Sequence, residues 1–146
     1  MSHRIIVCDD EPHIVRAISL KFTRAGFEVH GAPDAETGLE LLHRAPPALL
    51  ITDYTMPGMN GAELVRRVRA DATLADLPVI MLTARGIELE EDSDIAAELG
   101  LAAVFLKPFS PRELVMKVCE ILGYGPAPRV SRYGSETELP AFSARD

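Results

Sequence analysis

Ala48-Leu49-Leu50-Ile51-Thr52-Asp53 is an apolar run of strand length that ends in a carboxylate. A second run, Val79-Ile80-Met81-Leu82, has the same character further along the chain. Neither run alternates apolar with polar residues, so both faces of each strand are expected to be buried. Strands of this kind are typical of a parallel sheet that is covered by helices on each side. The two runs therefore predict an α/β fold.

Segments of strand length alternate with segments of helical period along most of the chain. The predicted strands are 4–8, 27–31, 48–52, 78–82 and 102–106. The predicted helices are 12–25, 34–45, 60–70, 90–99 and 111–122. Five βα repeats predict a doubly wound α/β fold with a parallel sheet. We expect residues 1–123 to form this single domain.

The composition of the chain changes after the last predicted helix. Tyr124-Gly125-Pro126-Ala127-Pro128 opens a segment that has no hydrophobic periodicity. We expect residues 124–146 to form a disordered tail. A docking tail is the alternative, and its candidate contact residues are Arg129, Arg132 and Tyr133.

Composition excludes several classes of protein. The chain has 146 residues, of which 47% are apolar, as expected for one globular domain. Its net charge of −7 argues against nucleic acid as a direct partner. No apolar run approaches the roughly 20 residues that span a bilayer, and the start of the chain lacks a signal-peptide pattern. We therefore expect a cytoplasmic protein with no membrane partner, in which Cys8 and Cys119 are buried free thiols.

Acidic residues follow two of the predicted strands. Asp9 and Asp10 come after the first strand, and Asp53 comes at the end of the third. Parallel strands place their carboxyl ends at one edge of the sheet, so these carboxylates are expected to meet there and to repel each other without a cation. Hard oxygen ligands favour Mg²⁺. We expect Asp10 and Asp53, with Asp9 through a water molecule and the backbone carbonyl of Thr55, to hold that ion.

Two further polar residues follow the fourth and fifth strands, and they suggest a reaction. Thr83 ends Val79-Ile80-Met81-Leu82-Thr83, and Lys107 ends Val104-Phe105-Leu106-Lys107. With a metal bound, Asp53 is a candidate nucleophile that would form an aspartyl phosphate. Lys107 and Mg²⁺ would neutralise the phosphoryl oxygens, and the Thr83 hydroxyl would donate a hydrogen bond to the same group.

Four short segments at these strand ends form a joint pattern. They are Ile6-Val7-Cys8-Asp9-Asp10-Glu11-Pro12, Asp53-Tyr54-Thr55-Met56-Pro57-Gly58-Met59-Asn60-Gly61, Leu82-Thr83-Ala84 and Lys107-Pro108-Phe109. In this order and on these elements, they resemble the receiver domain of bacterial two-component response regulators over residues 3–122. The resemblance implies a doubly wound, flavodoxin-like parallel sheet with the strand order 2-1-3-4-5. It also implies a cis peptide bond between Lys107 and Pro108, which aims the lysine into the site.

The resemblance also implies a function. Asp53 would accept a phosphoryl group, with Mg²⁺, from a sensor histidine kinase or a histidine phosphotransfer protein. The domain would signal to an unknown output protein through a conformational change, and a homodimer is a family-based expectation. It would catalyse only its own phosphorylation and dephosphorylation, so it would not be an enzyme acting on an external substrate. We recognise no segment typical of a DNA-binding or catalytic output domain, and we expect a stand-alone receiver, with a receiver fragment of a larger regulator as the alternative.

The chain departs from the family pattern in two places. Receivers commonly carry an aromatic residue three positions before the lysine, and here that position is Val104. Phe105 should point to the opposite face because side chains alternate along a strand. The loop 85–94 is acidic and slightly long, so it is interpreted either as a helix start that favours the helix dipole or as a partner-docking loop beside the site. Family positions equivalent to Thr55 and Arg85 influence how long the phosphate survives.

Two other functions remain open on the residues alone. A hydrolase of the haloacid dehalogenase type also uses an aspartate nucleophile at a strand end, but its Asp-x-Asp motif would require an aspartate where Thr55 stands. A receiver-like docking module that is never phosphorylated is the second alternative, and Val104 is the residue that favours it. The histidines have no convincing metal-ligand spacing. They are His3, His13, His30 and His43.

Overall fold

Five parallel strands form one sheet in the order β2-β1-β3-β4-β5, in a computed structural model that describes residues 3–84 and 95–124. The strands are β1 His3–Cys8, β2 Phe27–Ala32, β3 Leu49–Asp53, β4 Val79–Ala84 and β5 Ala103–Lys107. The helices are α1 Pro12–Arg24, α2 Ala35–Arg44, α3 Gly61–Ala70, α4 Ile95–Leu99 and α5 Pro111–Leu122. This confirms the predicted doubly wound architecture and its strand order.

The element boundaries agree closely with the sequence patterns where the chain is described. One useful difference is that β4 continues to Ala84, so Thr83 lies inside the strand and not after it. Of the helix predicted over 90–99, residues 95–99 are helical. The rest of that prediction, the loop 85–94 with Arg85, and the predicted tail beyond Tyr124 lie outside the described residues.

The three central strands are buried because the sheet is covered on both faces. One apolar layer packs under α2, α3 and α4, and it includes Ile6, Leu50 and Met81 from the sheet. The other packs under α1 and α5 and takes the alternate residues Ile5, Val7, Ile51, Ile80 and Leu82. Uninterrupted apolar runs therefore fill two cores at once, which is why they do not alternate.

The edge strand β5 shows the alternation that the central strands lack. Phe105 packs with the α1/α5 layer, and its ring lies edge-on to that of Phe109, with 6.4 Å between the centroids. Val104 and Leu106 point the other way and are exposed by 38% and 54%. Phe105 thus faces away from Val104, as strand alternation predicted, and the usual aromatic position of the family holds a small, partly exposed valine.

Arg69, near the end of α3, joins three segments of the chain. Its guanidinium donates hydrogen bonds to the carbonyl oxygens of Leu77 (2.7 Å), Leu99 (2.8 Å), Ala75 (3.1 Å) and Gly100 (3.1 Å). These carbonyls belong to the loop before β4 and to the end of α4, where no helical N–H is available to them. A planar group with five donors suits this task.

Aromatic rings pack at the amino-terminal ends of β1 and β2. Tyr124 lies against His3 and Phe27, with ring centroids 4.4 Å and 6.0 Å away, and its hydroxyl hydrogen-bonds to Nδ1 of His3. The residue that follows α5 is therefore packed against the first two strands. The predicted disorder of the segment that begins here stays a prediction, because the residues after Tyr124 are not described.

Both cysteines are buried free thiols, as expected. Burial, together with the nearby carboxylates of Asp34 and Asp9, raises the pKa of the Cys8 thiol to about 12. A thiol with such a pKa stays protonated at neutral pH and is a poor nucleophile.

Within the described ranges, no helix has the length and apolar character needed to cross a bilayer.

Candidate functional site

The carboxyl ends of β1 and β3 bring three aspartates together. Asp9 follows β1, where its backbone N–H donates to the carbonyl of Ala32 at 3.0 Å, and Asp53 is the last residue of β3. Carboxylate oxygens of Asp9, Asp10 and Asp53 all lie within 4.8 Å of one another. Asp9 and Asp53 are only 1% and 5% exposed, whereas Asp10 is exposed. The predicted meeting of these carboxylates at one sheet edge is therefore present.

Lys107, the last residue of β5, reaches the same cluster. Its Nζ lies 3.0 Å from Oδ2 of Asp9 and 3.2 Å from Oδ2 of Asp53. A third carboxylate, Oε1 of Glu11, lies 3.1 Å from the same nitrogen. The Lys107–Pro108 peptide bond is cis, as the resemblance implied. The ammonium thus lies between the acidic groups, which is where a positive charge is needed.

Two buried polar atoms in this site lack a hydrogen bond. Thr83 Oγ1 has none among the described residues, although the residue is only 1% exposed. Oδ2 of Asp9 is also buried, and it contacts the Lys107 ammonium as an ion pair at 3.0 Å. A buried polar atom without a partner is costly and uncommon in proteins. These two atoms therefore mark a place built to receive a donor and an acceptor from outside the chain.

The charge state of Asp53 reflects this crowded environment. Burial raises the pKa of its carboxyl above the ordinary value, and the neighbouring Asp9 raises it further. The Lys107 ammonium and the backbone N–H of Thr55 act in the opposite direction without reversing the shift. The apo site therefore holds excess negative charge that a bound cation would relieve.

The carboxylates of the site stabilise the ammonium of Lys107. Burial lowers its pKa, but the carboxylates of Asp9, Asp53 and Glu11 outweigh burial and raise the pKa above the ordinary value for lysine. Lys107 is consequently a permanent cation at physiological pH. A fixed positive charge beside Asp53 suits the binding of an anionic group there.

The turn after Asp53 is shaped by glycine. A Cβ on Gly61 would lie 2.1 Å from the backbone oxygen of Asp53, so only glycine lets α3 begin this close to the end of β3. The N–H of Gly61 donates to the carbonyl of Tyr54 at 2.8 Å. Gly58 has φ +77°, a conformation that other residues rarely adopt. The glycines of this turn therefore fix the backbone that presents Asp53.

Sequence reasoning missed Glu11 as a site residue. The residue stands in the quoted acidic segment, but no role was assigned to it. Its contact with Lys107 joins positions 96 residues apart, and periodicity gives no information about such a contact. The feature of the sequence that could have indicated a role for Glu11 was its position directly after Asp9 and Asp10.

The donor set fits Mg²⁺. Three carboxylates within reach of one another are hard oxygen ligands, and their negative charge exceeds what one ammonium neutralises. Thr55 is exposed next to this cluster, and its carbonyl remains only a predicted ligand. No residue with softer ligand atoms belongs to the cluster among the parts of the chain described.

Comparison with known proteins agrees with this geometry. The family model of the response regulator receiver domain matches residues 5–119. The phosphate regulon transcriptional regulatory protein PhoB of Pseudomonas aeruginosa is 38% identical over 119 residues, which cover 81% of this chain and 51% of that protein. PhoB of Escherichia coli is 33% identical over 122 residues, covering 84% and 52%. The chain thus spans about half the length of these relatives.

Solved structures show the same fold over nearly their whole length. A putative response regulator from Chloroflexus aurantiacus matches with a TM-score of 0.77 and 34% identity, covering 84% of this chain and 99% of that one. The chemotaxis response regulator CheY4 of Vibrio cholerae matches with a TM-score of 0.75 and 28% identity, covering 84% and 99%. On its fold, its matched family model and its relatives, this chain belongs to the response regulator receiver domain family.

Proposed function

We propose that Asp53 of this receiver domain accepts a phosphoryl group and that Asp9, Asp10 and Asp53 hold the Mg²⁺ ion this transfer needs. The observation that carries the proposal is the placement of the Lys107 ammonium between the buried carboxylates of Asp9 and Asp53. Receiver domains are signalling modules and not enzymes of external substrates, so the adduct itself would be the product.

The proposed reaction transfers a phosphoryl group from a phosphohistidine to the Asp53 carboxylate. An oxygen of the Asp53 carboxylate attacks the phosphorus of a phosphohistidine, and the P–N bond breaks as the new O–P bond forms. The electron pair of the broken bond stays with the imidazole, which takes up a proton. The product is an acyl phosphate on Asp53, and no oxidant or further reactant is required.

Lys107 and Thr83 have separate roles in this proposal. The Lys107 ammonium lies 3.2 Å from Oδ2 of Asp53, where it can pair with an oxygen of the incoming phosphoryl group. Thr83 directly follows Leu82, the register partner of Asp53 in β4, and its unpartnered hydroxyl would donate to a second oxygen. The sheet holds the Thr83 side chain and the backbone of Lys107, which limits the reorganisation that this step requires.

The metal supplies charge neutralisation when bound. Asp9, Asp10 and Asp53 would be its carboxylate ligands, and we keep the backbone carbonyl of Thr55 as the fourth protein oxygen. Oδ2 of Asp9 is buried and lies 3.0 Å from the Lys107 ammonium, so positive charge is already favourable at this oxygen. The Lys107 ammonium and the metal would then share the negative charge of the phosphoryl oxygens.

The phosphodonor in the cell would be a sensor histidine kinase or a histidine phosphotransfer protein, since response regulators interact with these two classes. We also propose that the domain signals to an output protein, that it forms a homodimer and that it is located in the cytoplasm. Residues 1–123 are proposed as the receiver unit, with the remaining segment as a tail.

Intact-mass analysis after incubation with acetyl phosphate tests the proposal. The wild type with Mg²⁺ should gain one labile phosphoryl group, whereas the wild type with EDTA and the Asp53→Asn variant should gain none. An adduct that forms equally in all three samples would overturn the role of Asp53. No adduct in a folded wild type that binds Mg²⁺ would favour the docking module that is never phosphorylated, for which the exposed Val104 is the structural argument.

A further inference from the structure

Glu11 occupies the N-cap position of α1 but does not cap the helix. Its backbone is extended, with φ −98° and ψ 106°, and its side chain makes no hydrogen bond to the first turn. In contrast, the N-cap side chains of α2, α3 and α5 each accept from the backbone N–H three positions on. These residues are Asp34, Asn60 and Ser110. Glutamate is not among the residues that commonly cap a helix in this way, so the longer side chain of Glu11 is free to reach other partners.

The carboxylate of Glu11 is directed at Lys107 instead. Its Oε1 accepts a hydrogen bond from Nζ at 3.1 Å, and its backbone N–H donates to Oδ1 of Asp9 at 2.9 Å. The side chain of Glu11 is 48% exposed, whereas that of Lys107 is only 13% exposed. The residue thus contacts two members of the site from its rim.

Lys107 and a divalent cation would share the carboxylates of Asp9 and Asp53. Nζ contacts Oδ2 of Asp9 and Oδ2 of Asp53, and both carboxylates belong to the cluster that fits Mg²⁺. Glu11 is not part of that cluster. It is therefore the carboxylate that the ammonium can keep when a cation takes the other two.

We infer that Glu11 is a positioning residue that holds Lys107 at the rim of the site while a divalent cation occupies the aspartates. It lowers the free-energy cost of separating the ammonium from Asp9 and Asp53, and it keeps Lys107 close enough to meet an arriving phosphoryl group. Glu11 acts on cation binding through Lys107 and not as a ligand. The inference rests on the Mg²⁺ site of the proposed function but not on phosphoryl transfer.

A double-mutant cycle on Mg²⁺ binding tests this inference. The dissociation constant is measured by NMR titration of the backbone amides near the site, at high ionic strength so that through-space attraction by the Glu11 charge is screened. Glu11→Gln should weaken Mg²⁺ binding roughly threefold, which is the effect expected of a half-exposed ion pair. Glu40→Gln on the exposed face of α2 is the charge-matched control and should leave the constant unchanged.

The second arm removes Lys107. Lys107→Met should tighten Mg²⁺ binding, and in that background Glu11→Gln should have little further effect. Lys107→Gln serves the same purpose if the methionine variant does not give a folded NMR spectrum. An equal loss from Glu11→Gln in both backgrounds would overturn the inference, because Glu11 would then act on the cation directly.

The two proposals fail in different ways. A wild type that binds Mg²⁺ but takes no phosphoryl group contradicts the proposed function. The double-mutant cycle on Mg²⁺ binding can still be interpreted in that case. A wild type that takes a phosphoryl group and shows no Glu11 effect on Mg²⁺ contradicts only the role of Glu11. A folded wild type that binds no Mg²⁺ would overturn both.

Discussion

The Nζ atom of Lys107 lies 3.2 Å from Oδ2 of Asp53, although the two residues are 54 positions apart in the chain. The sheet creates this contact by ending β3 and β5 at the same edge. The ammonium lies among oxygens that a divalent cation would use, and so it partly neutralises the site in the absence of metal. In the proposed Mg²⁺ complex, the cation would compete with Lys107 for these carboxylates.

We expect Asp53→Asn to stabilise the domain at neutral pH without metal. The pKa of Asp53 is raised by burial and by Asp9, so its contribution to stability is present below the ordinary pKa of 3.8 and is lost as the pH rises through the higher folded value. The ionised carboxylate is consequently unfavourable at pH 7. Thermal unfolding in EDTA should show an increase of roughly 3 °C for the variant.

The gain from Asp53→Asn should shrink as the pH falls through the raised pKa, because the wild-type carboxyl then becomes neutral as well. Glu40→Gln is the charge-only control and should give no comparable gain at either pH. A lower melting temperature for Asp53→Asn at pH 7 would contradict the assigned direction of the pKa shift.

We expect Gly61→Ala to destabilise the domain and to disturb the site together. The added Cβ would lie 2.1 Å from the Asp53 carbonyl oxygen, and backbone atoms must move to relieve that contact. A loss of about 3 kcal/mol is typical of overpacking at a rigid position, and urea unfolding measures it.

Gly26→Ala provides the matched control for this prediction. Gly26 has φ +99°, but a Cβ at this position would meet no atom within 4 Å, so the cost of the substitution is confined to backbone strain of about 1 kcal/mol. If the two substitutions cost the same free energy of unfolding, crowding at Asp53 is not the reason for glycine at position 61.

We expect Arg69→Met to lower the free energy of unfolding by about 2 kcal/mol, because the carbonyl of Leu77 in the loop before β4 and the carbonyl of Leu99 at the end of α4 lose their donor. Arg69→Lys should recover only part of this loss, since one ammonium cannot reproduce the planar arrangement of donors. Arg66→Met removes only an exposed ion pair with Glu98 and should be nearly neutral. Equal effects of Arg69→Met and Arg66→Met in urea unfolding would contradict the joining role of Arg69.

The sequence predicted the fold well because the central strands carry a strong local signal. The run that ends in Asp53 is apolar at nearly every position, and parallel strands bring their carboxyl ends to one edge. The meeting of Asp9, Asp10, Asp53 and Lys107 follows from that topology alone. The position of Phe105 was also predictable, since alternation along β5 is a local property.

Other contacts could not be predicted because they depend on tertiary distances. Glu11 stands directly before α1, and nothing local indicates that its side chain contacts a lysine 96 residues away. Arg69 looks like one more charge on a helix rich in arginine, yet it binds four carbonyls. Long, flexible side chains reach partners that only the folded chain defines.

The most direct test of the central claim is to locate the phosphoryl group. The protein is incubated with acetyl phosphate and Mg²⁺, the acyl phosphate is reduced with borohydride, and the peptides are mapped by mass spectrometry. Our account predicts that residue 53 is converted from aspartate to homoserine, and that Asp9 and Asp10 stay unmodified. Conversion at Asp9 or Asp10 with Asp53 intact would contradict the assignment of Asp53 as the phosphoacceptor.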